Sequence, residues 1–364
     1  MRKSQFYPVA IIASILFFSV NCSSANKAPK SIILIVADGA GIGHQTALYY
    51  LTDDYAPARF ENVGLVTTYM LGKDKVTDSA AGATAMATGY KTVKGAIGMT
   101  INESGDTVAA KSVIEYAQDI SMATGVVTTS FVNDATPASF SVHHPIRKER
   151  IEIAHKMADA GLDVILGAGN RYFSEPLPGS TDTLTAYDKF AQNGIQIISN
   201  LVAPIDPSRP VLGIFADKGL PANLDGREPT LVAMAAKALD LVGGDPNGFF
   251  LLVEEEGNDS YSHDRDSLRV VGEMQSINEV VNLALYYQSQ HPDVLVIMVS
   301  DHDTGGLVVI DDEEQGGLKM GFATREHTAA LVPIFATGPG ADVFEGVMDN
   351  TFIGETLIRY ISER

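Results

Sequence analysis

The sequence predicts an α/β fold: a mostly parallel central sheet with helices on both faces. Three observations lead there. Four apolar runs are continuous instead of alternating, helical patterns lie between them, and each run ends at or leads into an acidic residue. A strand buried on both faces needs such a continuous run. Strands that alternate with helices pair in parallel across crossovers.

The first run, Ser31-Ile-Ile-Leu-Ile-Val-Ala37, ends at Asp38, and the second, 125–132, leads to Asp134. The third, 248–253, ends at Glu254 and the fourth, 294–300, at Asp301. Helical patterns cover 109–119, 151–160, 229–242 and 268–290. In parallel sheets ligands bind beyond the carboxyl ends of the strands. Any one of these acids could be a plain turn or cap residue, but four at four strand ends would converge on one rim. Residues 170–227 carry six prolines and read as peripheral connections with a few short elements. No linker divides the chain, so a single domain is expected over 28–364.

With 45 acidic against 26 basic residues the formal charge is −19, which argues against a nucleic-acid-binding surface. The only cysteine, Cys22, rules out an intramolecular disulfide and a four-cysteine zinc site. Residues 1–25 read as an export signal: Arg2 and Lys3, an apolar stretch from Val9 to Val20 too short to span a membrane, then polar residues. Cleavage near Ala25 is one reading. Lipidation of Cys22, which would anchor the protein to the cell envelope, is the other.

Five segments could carry chemistry. Asp38-Gly-Ala-Gly-Ile-Gly43 follows a strand but has His44 where a dinucleotide fingerprint needs glycine, so it reads as a metal-binding aspartate before a tight turn. Around Ser79 the stretch 76–89 is almost all small residues, and a helix starting there would aim free N–H groups at an anion. Ser79 as a mere helix cap is the plainer alternative. Asp259 and His263, four apart, share one face of a helical turn, with Glu254 at the strand end before them. Asp301-His302-Asp303 follows the fourth buried run, and His327 precedes a further apolar segment at 331–336. Of the remaining histidines, His44, His143, His144, His155 and His291 carry no expected role, with His155 and His291 read as surface residues.

These motifs resemble the alkaline phosphatase family, specifically its compact bacterial members. The blocks Val-Thr-Asp-Ser-Ala-Ala-Gly-Ala-Thr-Ala at 76–85 and Asp-Ala-Thr-Pro-Ala-Ser-Phe at 134–140 are specific to it, and the likeness runs in unchanged order from Ser31 to Ile361. The resemblance implies that Ser79 is the nucleophile that becomes phosphorylated and that Arg147 grips the phosphate. It implies two zinc ions: one held by Asp38, Asp301 and His302, the other, which activates water, by Asp259, His263 and His327. It further implies one magnesium ion at Asp38, Asp134, Thr136 and Glu254. The donor sets suit this division, since mixed imidazole and carboxylate favour zinc and an all-oxygen set favours magnesium.

Two departures from the family pattern stand out. Glu255-Glu256 follow Glu254 where glycine is usual, leaving Glu256 as an alternative ligand, and Ser260 replaces a Lys, His or aromatic residue. The implied function is hydrolysis of phosphate monoesters with release of inorganic phosphate, by an exported, periplasmic or envelope-bound enzyme that forms a homodimer. The alternatives are a phosphodiesterase on the same scaffold and a non-catalytic metal- or phosphate-binding envelope protein.

Overall fold

A computed structural model describes residues 28–313 and 316–364. The expected export signal and Cys22 lie outside them. Strand β1 (Ser31–Ala37) is followed by α1 (Ile42–Leu51), β2 (Asn62–Thr67) and α2 (Ser79–Thr88). The hairpin β3 (Met99–Ile101) and β4 (Thr107–Ala109) precedes α3 (Val113–Asp119). Strand β5 (Ala123–Phe131) leads into α4 (Ala135–Ser141) and α5 (Arg150–Met157), and β6 (Val164–Ala168) into α6 (Asn170–Phe173) and α7 (Ala186–Gln192). Then come β7 (Gln196–Ile198), β8 (Val211–Ile214), α8 (Leu231–Val242), β9 (Phe249–Glu255), α9 (Gly257–Asp264) and the long α10 (Ser267–Gln290). Beyond β10 (Val294–Val299) lie the short β11 (Asp303–Thr304), the hairpin β12 (Leu307–Asp311) and β13 (Leu318–Phe322), and β14 (His327–Thr328). Strands β15 (Val332–Thr337) and β16 (Gly346–Asp349) precede α11 (Asn350–Ser362).

Ten strands form the central sheet in the order β16-β2-β15-β10-β1-β9-β5-β6-β8-β7. All run one way except β15, which pairs antiparallel with both neighbours. The expected α/β architecture is therefore present. Its cause is visible in β1: Ile32, Leu34 and Val36 enter one apolar core with α2, α4 and α11, while Ile33 and Ile35 enter the other with α8 and α10. A strand with a core on each side has no polar face, hence the unbroken apolar run.

Some expected boundaries move. The helix expected over 109–119 begins only at Val113, because Thr107–Ala109 pair with β3 and Ser112 caps the helix. Ser112 and Glu115 bond each other's backbone N–H, a reciprocal cap that fixes the start. The 170–227 stretch is not wholly peripheral: β7 and β8 extend the central sheet in parallel register. They escape notice because they are only three and four residues long. His155, read as a surface residue, is buried on α5, with a ring nitrogen 3.2 Å from the carbonyl of Glu175. No described helix is long and apolar enough to cross a membrane.

Candidate active site

Strands β10, β1, β9 and β5 are consecutive in the sheet. Their carboxyl ends carry Asp301, Asp38, Glu254 and, three residues past β5, Asp134. The four acids expected to share a rim do so. Asp38 lies in the tight turn after β1, where Gly39 has a φ of 70° and its Cα faces Asp259 and Thr304 so closely that a Cβ would stand 2.9 and 2.8 Å from them. Only glycine fits both demands.

Ser79 is the first residue of α2, and it is not the cap. Asp78 is the cap, accepting from the Ala81 N–H at 3.1 Å. The buried Ser79 hydroxyl is thereby left free to face outward from the helix N-terminus, with Oγ 3.3 Å from His302 Nε2. His302 Nε2 also lies 3.2 Å from Asp301 Oδ2 and 3.5 Å from Asp38 Oδ1. Its other nitrogen, Nδ1, is 3.2 Å from the Thr304 hydroxyl, which donates its own proton to Asp259. Nδ1–H is therefore the donor to Thr304, and Nε2 presents a lone pair to Asp38, Asp301 and Ser79.

The same logic fixes two more imidazoles. His327 Nδ1 donates to the Thr77 carbonyl at 2.8 Å, and His263 Nδ1 donates to the Arg325 carbonyl. Their Nε2 atoms face each other at 3.1 Å, with Asp259 oxygens 3.4 Å from His263 and 3.5 Å from His327. Helix α9 brings Asp259 and His263 onto one face, as their spacing predicts. Two imidazole nitrogens and a carboxylate converging this way are what a divalent cation binds. The oxygens and nitrogens of Asp38, Asp301 and His302 fall within 4.8 Å of one another, as do those of Asp259, His302 and His327.

Buried polar atoms without a hydrogen-bond partner support the fit. They include Asp38 Oδ1, Asp301 Oδ2 and Thr136 Oγ1, all at this rim. Such atoms are costly unless a further ligand satisfies them. Electrostatics point the same way. Burial, then the charges of Asp301, Asp259, Glu254 and Glu256, hold Asp38 well above the usual carboxylate range. Burial and Asp259 push Asp301 up to about 6. Burial first, with Asp134 and a neighbouring glutamate adding to it, raises Glu254 and Glu256 each to about 8. Asp259 goes down instead: burial is the largest influence and opposes this, but the bond to His263 together with the charges of His302, His327 and His263 outweighs it, and the same bond lifts His263 to about 9. A packed group of carboxylates needs cations, and bound cations would reverse these shifts.

Glu254, fully buried, accepts from Thr128 of the adjacent strand. Thr136 is the second residue of α4, whose cap is Asp134. Asp134 accepts from Ala135 N–H at 2.9 Å, Ser130 Oγ at 3.1 Å, Arg147 at 3.3 Å and Arg150 at 3.2 Å. The two arginines pull its pKa down against its burial. Arg147 reaches Asp78 Oδ2 with its other terminal nitrogen, at 3.2 Å, and so joins Asp78 and Asp134, the caps of α2 and α4. All eleven expected site residues thus gather at one end of the sheet.

Sequence reasoning did not single out Asp78, Arg150, Thr128 or Thr304. Arg150 follows Arg147 by three residues, a spacing that could have marked it. Glu255, which departs from the family pattern, points away from the rim. It pairs with Arg227 at 2.7 Å, and Arg227 also pairs with Glu273 of α10 at 2.6 Å, all three buried. Glu255 is therefore part of a buried hydrogen-bonded triad with Arg227 and Glu273 that ties α10 to β9. Ser260 donates to Glu256 at 2.6 Å, one turn apart.

The sequence profile of the alkaline phosphatase family matches residues 29–319. Alkaline phosphatase 3 of Bacillus subtilis is 31% identical over the whole of this chain and 81% of its own. Streptomycin-6-phosphate phosphatase of Streptomyces griseus is 30% identical over 96% of each. Among solved structures, alkaline phosphatase from the Antarctic bacterium TAB5 superposes with a TM-score of 0.84 at 31% identity, covering 93% of this chain and 100% of that one. A variant of the TAB5 enzyme with a histidine changed to aspartate has magnesium bound in its M3 site. The chain belongs to the alkaline phosphatase family.

Proposed function

We propose that this chain hydrolyses phosphate monoesters through a phosphoserine on Ser79, at a site that takes two zinc ions and one magnesium. The observation that carries the reading is Ser79 Oγ 3.3 Å from His302 Nε2, in a group of three imidazoles and buried carboxylates, Asp38 and Asp301 with unpartnered oxygens, while Arg147 is held on the neighbouring Asp78. Asp38, Asp301 and His302 would hold one zinc ion and Asp259, His263 and His327 the other. Asp134, Thr136 and Glu254, together with Asp38, would hold magnesium. Bound there, the cations would stabilise the serine alkoxide, activate water and draw charge from the ester oxygens.

The chain's own residues do the rest. Ser79 Oγ attacks phosphorus, the P–O bond to the alcohol breaks, and the alcohol leaves with a proton. Water then attacks phosphorus, the Oγ–P bond breaks, and inorganic phosphate departs from a restored serine. Arg147, held between Asp78 and Asp134, adds a planar fork to two phosphate oxygens, and the α2 N-terminus adds its dipole. The reading includes export directed by residues 1–25, residence in the periplasm or envelope with or without a lipid on Cys22, and a homodimeric assembly.

The test compares p-nitrophenyl phosphate with bis-p-nitrophenyl phosphate, using protein loaded with zinc and magnesium at alkaline pH, with and without chelator. Fast, chelator-sensitive monoester turnover with a weak diester rate is expected, as is a Ser79→Ala variant that keeps its metal content and loses turnover. A diester preference, or unchanged turnover in Ser79→Ala, would reject the reading.

A further inference from the structure

A cleft of about 1060 Å³ opens from Arg147, Asp78 and His327 toward solvent. Its outer wall carries Lys73, Lys75, Lys94 and Lys148. These come from three separate loops: the one before α2, the one after α2 and the one before α5. Lys73, Lys94 and Lys148 have no hydrogen bond or ion pair among the described residues, and Lys75 reaches only the Gly72 carbonyl at 3.4 Å. With Arg147 and Arg150 the wall holds six cations, set against Asp74, Asp78 and Glu326. Asp78 is already engaged with Arg147 and the Gly95 N–H. Asp134, just outside this lining, accepts from both arginines; with it counted, six cations face four carboxylates, an excess of two positive charges on a molecule whose net charge is −19.

A single phosphoryl group at Ser79 has no use for these lysines. Arg147 and the proposed metal donors already answer its charge, while the exposed lysines line the cleft that opens from Arg147, Asp78 and His327, a route for the leaving group. We propose that the cleft selects phosphate monoesters whose leaving group carries a second anionic group: small bisphosphates or otherwise polyanionic esters. The inference rests on the monoester reading above and adds its substrate class. A recess of one sign raises the local concentration of the opposite charge. The acidic remainder of the surface disfavours a long polyanion such as nucleic acid, which would extend beyond the recess.

The test measures kcat/KM for fructose 1,6-bisphosphate and fructose 6-phosphate with the metal-loaded protein at low salt. The expected preference for the bisphosphate is about tenfold, beyond the twofold statistical gain from its two reactive ends. It should collapse toward that statistical factor in about 0.5 M NaCl, which screens exposed charges within a few ångströms. A quadruple variant, Lys73→Gln, Lys75→Gln, Lys94→Gln and Lys148→Gln, should lose the preference while p-nitrophenyl phosphate turnover stays within about twofold, the lysines being exposed. Equal kcat/KM for both sugars, or a preference that survives in the quadruple variant, would overturn the proposal and leave the monoester reading intact.

Failure of the monoester reading has a different signature, no turnover of p-nitrophenyl phosphate. The cleft would then be judged by calorimetry on metal-loaded Ser79→Ala. About tenfold tighter binding of the bisphosphate than the monophosphate supports it, and equal affinity overturns it.

Discussion

At the scale of single residues, the site is arranged by protons as much as by charges. Each of three histidines spends its Nδ1–H on a fixed oxygen, of Thr304, Thr77 or Arg325. That choice turns three Nε2 atoms inward. The glutamates are sorted in a similar way. Glu254 is sealed beside Thr128 and near the unpartnered Thr136 Oγ1, Glu255 is turned to Arg227, and Glu256 accepts from Ser260. On the proposed assignment Glu254→Gln should cost magnesium binding at least about tenfold, in the range seen when ligand geometry is disturbed. Glu256→Gln should cost less than about threefold, because Ser260 can still bond the amide. Titration of metal-depleted protein with magnesium would decide, and equal losses would show that both carboxylates share the ion. The expected ligands were legible in the sequence because the resemblance to the alkaline phosphatase family carried them onto matching positions, and their imidazole, carboxylate and hydroxyl groups are donors that divalent cations accept. The partners that fix tautomers were not, because a backbone carbonyl leaves no mark in a sequence. Arg227 and Glu273 were equally hidden, 46 positions apart and joined only by the fold.

Among the elements, α2 has the tightest fit. It carries Ser79 at its first position and must sit against the end of β10 while α11 presses from behind. A Cβ on Gly82 would stand 2.8 Å from the Asp301 carbonyl oxygen. On the other side, a Cβ on Gly354 of α11 would stand 2.4 Å from the Gly89 nitrogen at the end of α2. The helix therefore has no room to back away. Replacing Gly82 by alanine gains about 1 kcal/mol of helix propensity, but overpacking against backbone costs about 1–3 kcal/mol. The steric term should win. Gly82→Ala is expected to lower stability in urea denaturation and to cut kcat on p-nitrophenyl phosphate by about tenfold or more, since Ser79 and Asp301 are pushed apart. A variant as active and as stable as the parent would show that α2 can slide. The sequence made the four central strands and the long α10 plain, because burial on both faces and helical periodicity leave strong patterns. It hid β7 and β8, which are too short to carry a pattern, and the reversed direction of β15, since a buried run reads the same either way.

The molecule as a whole gathers its buried carboxylates at one end of one sheet, and this ties its stability to pH and to metal. In the metal-free chain Glu254 and Glu256 titrate at about 8, Glu273 at about 9 and His263 at about 9, all above their ordinary values. Between pH 7 and 9 the folded chain therefore holds protons that the unfolded chain has released at the carboxylates and largely released at His263. When the native state binds more protons than the unfolded state, stability falls as pH rises. The histidines shifted the other way, His44 to about 4 and His302 below its usual value, are neutral in the folded chain and largely neutral in the unfolded one over this window, and contribute little. The Tm of chelator-treated protein should thus drop steadily from pH 7 to pH 9. On the proposed assignment zinc and magnesium would replace protons on Glu254 and His263, so their affinity would rise as those protons leave. A cation present at about 1,000 times its Kd adds about 4 kcal/mol, and about 2–4 °C per kcal/mol makes a rise in Tm of about 10 °C the expectation. Differential scanning calorimetry with and without metal across that range should show the gap widening toward pH 9, where the metal-free chain repels itself most and the loaded chain does not. A metal-free Tm that held level or climbed over the same range would mean that the carboxylates at the sheet end do not carry the protons their burial demands.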